Sequence, residues 1–261
     1  KHTNAQREHR RQRVRSGAMT VGFVGYTNAG KSSLFQHLSG KTVLVEDQLF
    51  STLETTVGRM EKSPRILLAD TIGFIDNIPN ATLAAFKATI AEAIDADLTL
   101  ILVDTSDPLD EVRRKLETTR REVLERQEHE PEALEEGRPP QVVLTKIDAT
   151  TAEQQQAASD LVVSHGFPTP VAVSSMTGEG VDELQRFIRE QLFGAPVHVH
   201  VHPPSAASPD ATERIVSSVY DQGMVEVDER SEQGSAVLKV WITAACQAQL
   251  QSRWGARIDI K

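Results

Sequence analysis

Apolar residues gather in short, unbroken runs along this chain. Five of them, 20–25 (TVGFVG), 65–70 (RILLAD), 98–104 (LTLILVD), 141–146 (QVVLTK) and 170–173, are rich in Val, Ile and Leu and show no in–out alternation. That pattern predicts strands buried on both faces. Longer stretches with helix-like spacing lie between them, at 30–39, 81–95, 109–128, 152–165 and 181–192. Strand alternating with helix predicts a mostly parallel sheet with helices on both sides. Gly194, Ala195 and Pro196 mark a change of rhythm. Beyond them, 196–202, 224–229 and 236–242 alternate apolar with polar, and 208–222 can form a helix. Glu232, Gln233 and Gly234 supply a turn, so 196–261 reads as a small α+β module containing a hairpin. The expected division is a polar linker end at 1–18, an α/β domain at 19–195 and the small module at 196–261. Residues 129–140, with Pro131, Gly137, Pro139 and Pro140, read as a surface loop.

Composition narrows this. At 261 residues the chain is long enough for one large domain or two. Hydrophobic residues make up 39% and charged residues 25%, an ordinary globular balance. No run approaches the roughly 20 apolar residues of a membrane span. Cys246 is the only cysteine, so no internal disulfide forms, and a cytoplasmic setting is expected. The basic start has no apolar segment behind it, so no secretory signal is expected. The chain begins at Lys1, which fits a piece of a longer protein. Residues 1–18 carry six Lys or Arg and one Glu, whereas 19–194 carry 16 basic and 28 acidic side chains. So acidic a middle excludes a surface that binds phosphate backbones everywhere, and no DNA partner is expected.

The chemistry starts in the turn after the first run. Gly25-Tyr26-Thr27-Asn28-Ala29-Gly30-Lys31-Ser32 fits G-x-x-x-x-G-K-[ST], with a predicted strand before it and a helix after it. Its glycines let backbone N–H groups turn inward on phosphate oxygens, and the helix N-terminus adds partial positive charge. Lys31 reaches β- and γ-phosphates in such a loop, and the Ser32 hydroxyl holds Mg²⁺. Asp70-Thr71-Ile72-Gly73 closes the second run. A carboxylate there suits Mg²⁺ held through water, and Gly73 brings a backbone N–H to the γ-phosphate. Thr145-Lys146-Ile147-Asp148 closes the fourth run. Asp148 can accept from guanine N1–H and its exocyclic amine, a donor pair adenine lacks. Lys146 can lie along the base, and Ser174-Ser175-Met176 can offer a backbone contact to the guanine carbonyl. The fold expected is therefore an α/β P-loop NTPase, with GTP and GDP as ligands.

With those motifs in place, the chain resembles the HflX family of ribosome-associated GTPases. The resemblance is carried by GYTNAGKSSLF (25–35), DQLFSTLETTVGRM (47–60), DTIGFIDNIP (70–79), AAFKATIAEAIDAD (84–97) and TKID (145–148). It covers residues 1–195 well, with Arg7–Arg15 similar to the end of the family's helical linker, while the tail is similar only in kind to its C-terminal domain. The family's large N-terminal domain is not among these residues. The resemblance implies a GTP-hydrolysing switch, acting as a monomer on the large ribosomal subunit, with no membrane partner, in ribosome splitting or rescue under stress. The competing readings are another GTPase of the same class, for instance in ribosome assembly, and a nucleotide-gated scaffold with negligible turnover. The phosphate-sensing loop implied is 50–54, with Phe50 beside the nucleotide and Thr52 on Mg²⁺, Thr55 and Thr56 being alternatives. Asn28, Ala29, Gly30, Lys31, Ser32, Ser33, Phe50, Thr52, Asp70, Gly73, Thr145, Lys146, Asp148, Ser174, Ser175 and Met176 form the implied nucleotide site. Lys31, Thr52 and Gly73 face the transferred phosphate, and Ser32 and Thr52 face the metal.

Two departures stand out. Thr145 replaces the family's Asn, and Ser175 replaces an Ala. Phe74 occupies the place where Ras-like enzymes carry a water-orienting Gln, so the chain lacks an obvious catalytic group of its own and slow intrinsic turnover is expected. Asn28 stands where K⁺-stimulated relatives carry an ion-coordinating Asn, and the other reading is a loop-stabilising side chain. His198, His200 and His202 share one strand face, spaced about 7 Å apart, which favours a solvated face over a metal site. Arg113, Arg114, Lys115, Arg120 and Arg121 read as an RNA-contacting face or, preferably, as a surface helix balanced by its own glutamates.

Overall fold

The computed structural model describes residues 18–40, 56–61, 65–71, 73–74, 90–91, 93–129, 139–202, 210–231 and 234–261. The chain divides into two compact units, the larger built on residues 20–60 and 67–188 and the smaller on 189–261.

The larger unit holds a six-stranded sheet. Its strands are β1 (Met19–Gly25), β2 (Thr56–Glu61), β3 (Ile66–Asp70), β4 (Leu98–Asp104), β5 (Gln141–Thr145) and β6 (Val171–Ala172), in the order β2-β3-β1-β4-β5-β6. β1 runs parallel to β4, β4 to β5 and β5 to β6. Every residue of β4 and β5 is buried, as the unbroken apolar runs require. Helices α1 (Lys31–Ser39), α2 (Leu109–His129), α3 (Ala152–Ser164) and α4 (Val181–Phe193) follow β1, β4, β5 and β6. Thr151 starts α3 with a capping box, its hydroxyl accepting from the Gln154 amide while the Gln154 side chain accepts from the Thr151 N–H. Val112, Leu116 and Val123, spaced along one side of α2, enter a core with Ile101, Val103, Val142 and Leu144.

The sheet order turns back at β1, because β3 lies on one side of it and β4 on the other. A crevice therefore opens beyond the carboxyl ends of these strands, the place where open α/β sheets bind ligands. The opposite ends of β1 and β4 are stapled by Asp97. Its Oδ2 accepts from the Thr20 amide at 2.7 Å and the Thr20 hydroxyl at 2.9 Å, with all groups buried.

The smaller unit carries a second sheet in the order β10-β7-β9-β8, built from β7 (Val197–Val201), β8 (Met224–Arg230), β9 (Ala236–Trp241) and β10 (Ile258–Ile260). All three pairings in it are antiparallel. Helices α5 (Asp210–Gln222) and α6 (Ala244–Trp254) complete it. Ile215, Val216, Val219 and Leu250 from the helices pack on Val199, Val201, Leu238 and Val240 from the strands.

Three elements go beyond the sequence pattern. β2 forms where the sequence pattern assigns no strand. Its glycine and two charged residues in six hide the strand, and it gains its hydrogen bonds only from the sheet edge beside β3. α6 begins at a Thr243 cap, whose hydroxyl accepts from the Cys246 amide, and buries only Leu250 fully, so it has almost no apolar stripe to read. β10 is three residues long and is defined by its register with β7. Among the described residues no helix is long and apolar enough to cross a membrane.

Asp97→Ala should lower stability to urea by about 2–3 kcal/mol, because the Thr20 amide and hydroxyl lose a buried acceptor, and Asp97→Asn should cost less because it keeps one.

Candidate functional site

The crevice is lined first by the turn joining β1 to α1. Gly30 enters the helix in the left-handed conformation (φ 79°), and Asn28 also sits there (φ 62°), a region asparagine tolerates better than most side chains. No side chain caps α1, so the N–H groups of its first turn are left to other acceptors. Such a turn is an anion receptor, and Ala29, Gly30, Lys31, Ser32 and Ser33 all belong to it. Asn28 is exposed and Ala29 buried.

Lys31 is buried, and its ammonium donates to the carbonyls of Tyr26 (2.7 Å) and Gly25 (3.2 Å). Burial pushes its pKa down to about 8, against the opposing pull of the Asp70 carboxylate. Asp70 ends β3, beside β1. Burial raises its pKa, while the Ser32 hydroxyl, Lys31 and the Thr71 amide pull the other way. Its Oδ1 is buried with no hydrogen-bond partner. A carboxylate beside the Ser32 hydroxyl, with one oxygen left over, suits a hard cation reached through bound water. Ser32 and Asp70 therefore fit Mg²⁺.

Gly73 is packed against this cradle. A Cβ on it would stand 2.4 Å from the Lys31 Nζ and 2.5 Å from the Thr27 nitrogen, so no other residue fits without displacing one of them. The next residue is locked in place: the Phe74 amide donates to the Gly25 carbonyl (2.8 Å) and the Phe74 carbonyl accepts from Thr27 (3.0 Å). The Phe74 ring is buried in the core, 6.1 Å from the Tyr26 ring. The position of a water-orienting Gln is thus filled by a core side chain.

The other end of the crevice is built on β5. Thr145 is buried, and its hydroxyl lies 2.9 Å from the Ala29 carbonyl and 3.1 Å from that of Val103. The threonine that departs from the family pattern ties the phosphate-loop candidate to the strand below. Lys146 adopts φ 59°, and its ammonium pairs with Asp104 at 2.6 Å. Asp148 lies in a short 3₁₀ turn and is exposed. Its Oδ1 accepts from the fully buried Ser174 hydroxyl at 2.5 Å. The same hydroxyl oxygen accepts from the amides of Met176 (3.2 Å) and Thr177 (3.1 Å), which shapes the 174–177 turn. Ser175 is half-buried, and Met176 is 86% exposed.

Fourteen of the sixteen residues expected at the site are therefore described, at the ends of β1, β3, β5 and β6. Phe50 and Thr52 lie outside the described residues, as does Thr55, while Thr56 opens β2. Sequence reading missed Asp104 and Thr105. The signal was available, because Asp104 ends an apolar strand just as Asp70 does. Of the other candidates, Arg114 and Lys115 stand over the Tyr26 ring of the phosphate-loop candidate, 5.3 and 5.7 Å from its centroid, and the histidines and Cys246 belong to the smaller unit. His198 and His202 are exposed on β7 and just past it, with His202 paired to Asp259 at 2.8 Å. Cys246 is half-buried near the start of α6. Arg114 pairs with Glu111, and Lys115 with Asp107, within or just ahead of α2. Among the described residues no group of three or more His, Cys, Asp or Glu is placed to hold a metal ion.

Comparison with known proteins places this geometry. Residues 20–146 match the family model described as a 50S ribosome-binding GTPase, and residues 162–260 match that of the HflX C-terminal domain. The GTPase HflX of Escherichia coli K12 is 34% identical over 258 residues, 97% of this chain and 56% of its own length. The chain belongs to the HflX family. Two further HflX relatives are those of Akkermansia muciniphila (34% identity, 96% of this chain, 54% of the relative) and Methanocaldococcus jannaschii (37%, 71% and 45%). The chain spans about half the length of these HflX proteins. Among solved structures, a complex of SsGBP with GDP matches at TM-score 0.50 and 27% identity, covering 66% of this chain and 49% of that one. Era of Aquifex aeolicus matches in fold at TM-score 0.51 and 18% identity, over 82% of this chain and 74% of that one.

Thr145→Val, which keeps the shape and removes the hydroxyl, should lower stability to urea by about 1–3 kcal/mol, because the one O–H that two carbonyls share is lost, and Thr145→Ser should restore most of it.

Proposed function

We propose that this chain binds and hydrolyses GTP as the switch portion of a protein that acts on the large ribosomal subunit. The observation that carries the reading is one crevice with an ammonium-bearing phosphate cradle at one end and the paired Asp148–Ser174 at the other. The first supports a triphosphate and the second a guanine base.

In this reading the N–H groups of residues 28–33 and the Lys31 ammonium take the β- and γ-phosphates. Lys31 is held by two carbonyls beforehand, so little reorganisation is needed as negative charge grows in the transition state. Gly73 brings its N–H to the γ-phosphate from the β3 side. Asp148, with Oδ1 occupied by Ser174, keeps acceptor capacity for the guanine N1–H and amine. Met176 and the stem of Lys146 flank the base plane. Ser32, and Asp70 through water, would hold Mg²⁺, with Thr52 joining them in the GTP state, and the ion would supply charge neutralisation to the phosphates.

With Phe74 in the core, the place of a water-orienting Gln is taken by an apolar side chain. Turnover is then slow until a partner completes the site, and Asn28, exposed on the rim of the loop, is the residue through which K⁺ would assist. Segments 47–57 and 70–80 would respond to the γ-phosphate. The partner is the large ribosomal subunit, the task is ribosome splitting or rescue under stress, and the setting is the cytoplasm. The HflX relatives and the match over 20–146 support this reading.

The test is nucleotide turnover in KCl, with and without purified large subunits, using ATP as control. GTP should be hydrolysed slowly and ATP not at all, and subunits should accelerate GTP turnover. Equal handling of ATP and GTP, or normal GTP binding after Lys31→Ala, would overturn the nucleotide reading; no response to subunits would overturn the ribosomal one. Asp148→Asn should weaken GDP binding by about a hundredfold, because the carboxylate's charge-assisted bonds to the base are lost.

The lowered Lys31 pKa sets a pH window. Phosphate binding needs the ammonium, which the empty site begins to lose above about 8. GDP affinity should therefore hold steady below that value and fall up to about tenfold per pH unit above it. Stability runs the other way: between about 8 and the ordinary lysine value the unfolded chain binds the extra proton, so the folded state gains stability as pH rises. Isothermal titration with GDP beside urea melts across this range reads both slopes.

A further inference from the structure

The residues that close β4 form a bracket around the base-side loop. Asp104 is 8% exposed at the strand's carboxyl end, in register with Thr145 of β5. One of its oxygens, Oδ2, is 2.6 Å from the Lys146 ammonium. The other, Oδ1, accepts from the Ser106 amide (2.9 Å) and the Ser106 hydroxyl (2.6 Å). Both oxygens are thus engaged, and the carboxylate plane is fixed. Thr105 grips the same loop one residue earlier: its amide (3.1 Å) and hydroxyl (2.7 Å) both donate to the Thr145 carbonyl.

Lys146 needs such a bracket. Its φ of 59° is a conformation that a long, unbranched L-residue adopts at a cost. Its side chain is 39% exposed, so packing alone does not fix it. A flexible four-carbon stem left in water would lose much rotamer freedom on stacking along a base. The pair with Asp104 removes most of that freedom before any ligand arrives.

We infer that Asp104 is a positioning residue for guanine-nucleotide binding. It holds the Lys146 ammonium so that the lysine stem is already laid along the base plane, and Ser106 fixes Asp104 in turn. This rests on the reading of the crevice as a guanine-nucleotide site. Asp104 does not touch the nucleotide, and its effect passes through Lys146.

The experiment is a double-mutant cycle read by GDP titration and by dissociation of a fluorescent GDP. Asp104→Asn keeps the shape and an acceptor for Ser106 but removes the charge and the acceptor that faces Lys146. It should weaken GDP by about tenfold, chiefly through faster dissociation. Lys146→Ala should weaken it at least as much, and the double variant should be no weaker than Lys146→Ala alone, since both act through one contact. A purely structural role for Asp104 would instead add to the lysine effect, and additivity overturns the proposal. So does an Asp104→Asn variant that binds GDP as the parent does. Should Asp104→Asn fail to fold, Ser106→Ala, at an exposed site, decides. It frees Asp104 to rotate and should weaken GDP about threefold in the parent and not at all in Lys146→Ala. An unchanged affinity in the parent overturns the proposal. If the parent itself binds no GDP, the nucleotide reading falls and this inference with it. If the parent binds and only these variants are silent, this inference alone falls.

Discussion

A buried ammonium organises the larger unit. Lys31 carries a charge that burial strongly disfavours, and the surrounding chain offsets the penalty with two carbonyls and one carboxylate. That arrangement dictates much else. The carbonyls of Gly25 and Tyr26 must turn toward the helix that follows them, so the loop has to double back. The carboxylate must come from a strand that ends level with β1, which places β3 beside it. The segment leaving β3 must pass close over the ammonium, and only a residue without Cβ can do so at Gly73. Phe74 then reconnects to Gly25 and Thr27 through the backbone and closes the cradle from above.

Threonine hydroxyls knit the remaining strand ends together. Thr71 donates to the Phe23 carbonyl and ties β3 to β1. Thr145 reaches the carbonyls of Ala29 and Val103, joining β5 to the phosphate-loop candidate and to β4. Thr105 returns a bond from β4 to β5. These are short, buried side chains satisfying backbone groups at the point where ladder hydrogen bonds run out. The two ends of the crevice therefore share one rigid shelf. At the position of the family's Asn, Thr145 makes this link with a single hydroxyl.

The smaller unit obeys different rules. Its sheet is antiparallel, its strands alternate, and its helices feed their apolar side chains into the side of the sheet formed by Val199, Val201, Leu238 and Val240. The alternating side chains of β7 are His198 and His200, His200 standing in register with Asp259 of β10, and His202 just past the strand pairs with Asp259. Among the described residues of this unit, nothing repeats the cradle chemistry of the larger one.

The sequence by itself determined the strands, the helices after them and the motifs at their ends. Unbroken Val, Ile and Leu runs have one stable use, as strands covered on both faces, and G-x-x-x-x-G-K-S and T-K-I-D announce local backbone chemistry that short segments encode. Asp148 and Ser174 were legible as separate residues. That one hydroxyl both fixes the carboxylate and shapes the next turn was not, because residues 26 positions apart meet only when β5 and β6 pair. β2 and β10 were hidden for the same reason: a short strand without a distinctive apolar pattern exists only because a neighbour supplies its hydrogen bonds. Phe74 looked like a missing catalytic group, and only packing against Tyr26 turned it into core. Asp104 looked like the end of a strand. Its partner was fixed only by the register of β4 on β5, because an ion pair depends on where two chains lie side by side, and no local stretch of sequence carries that information.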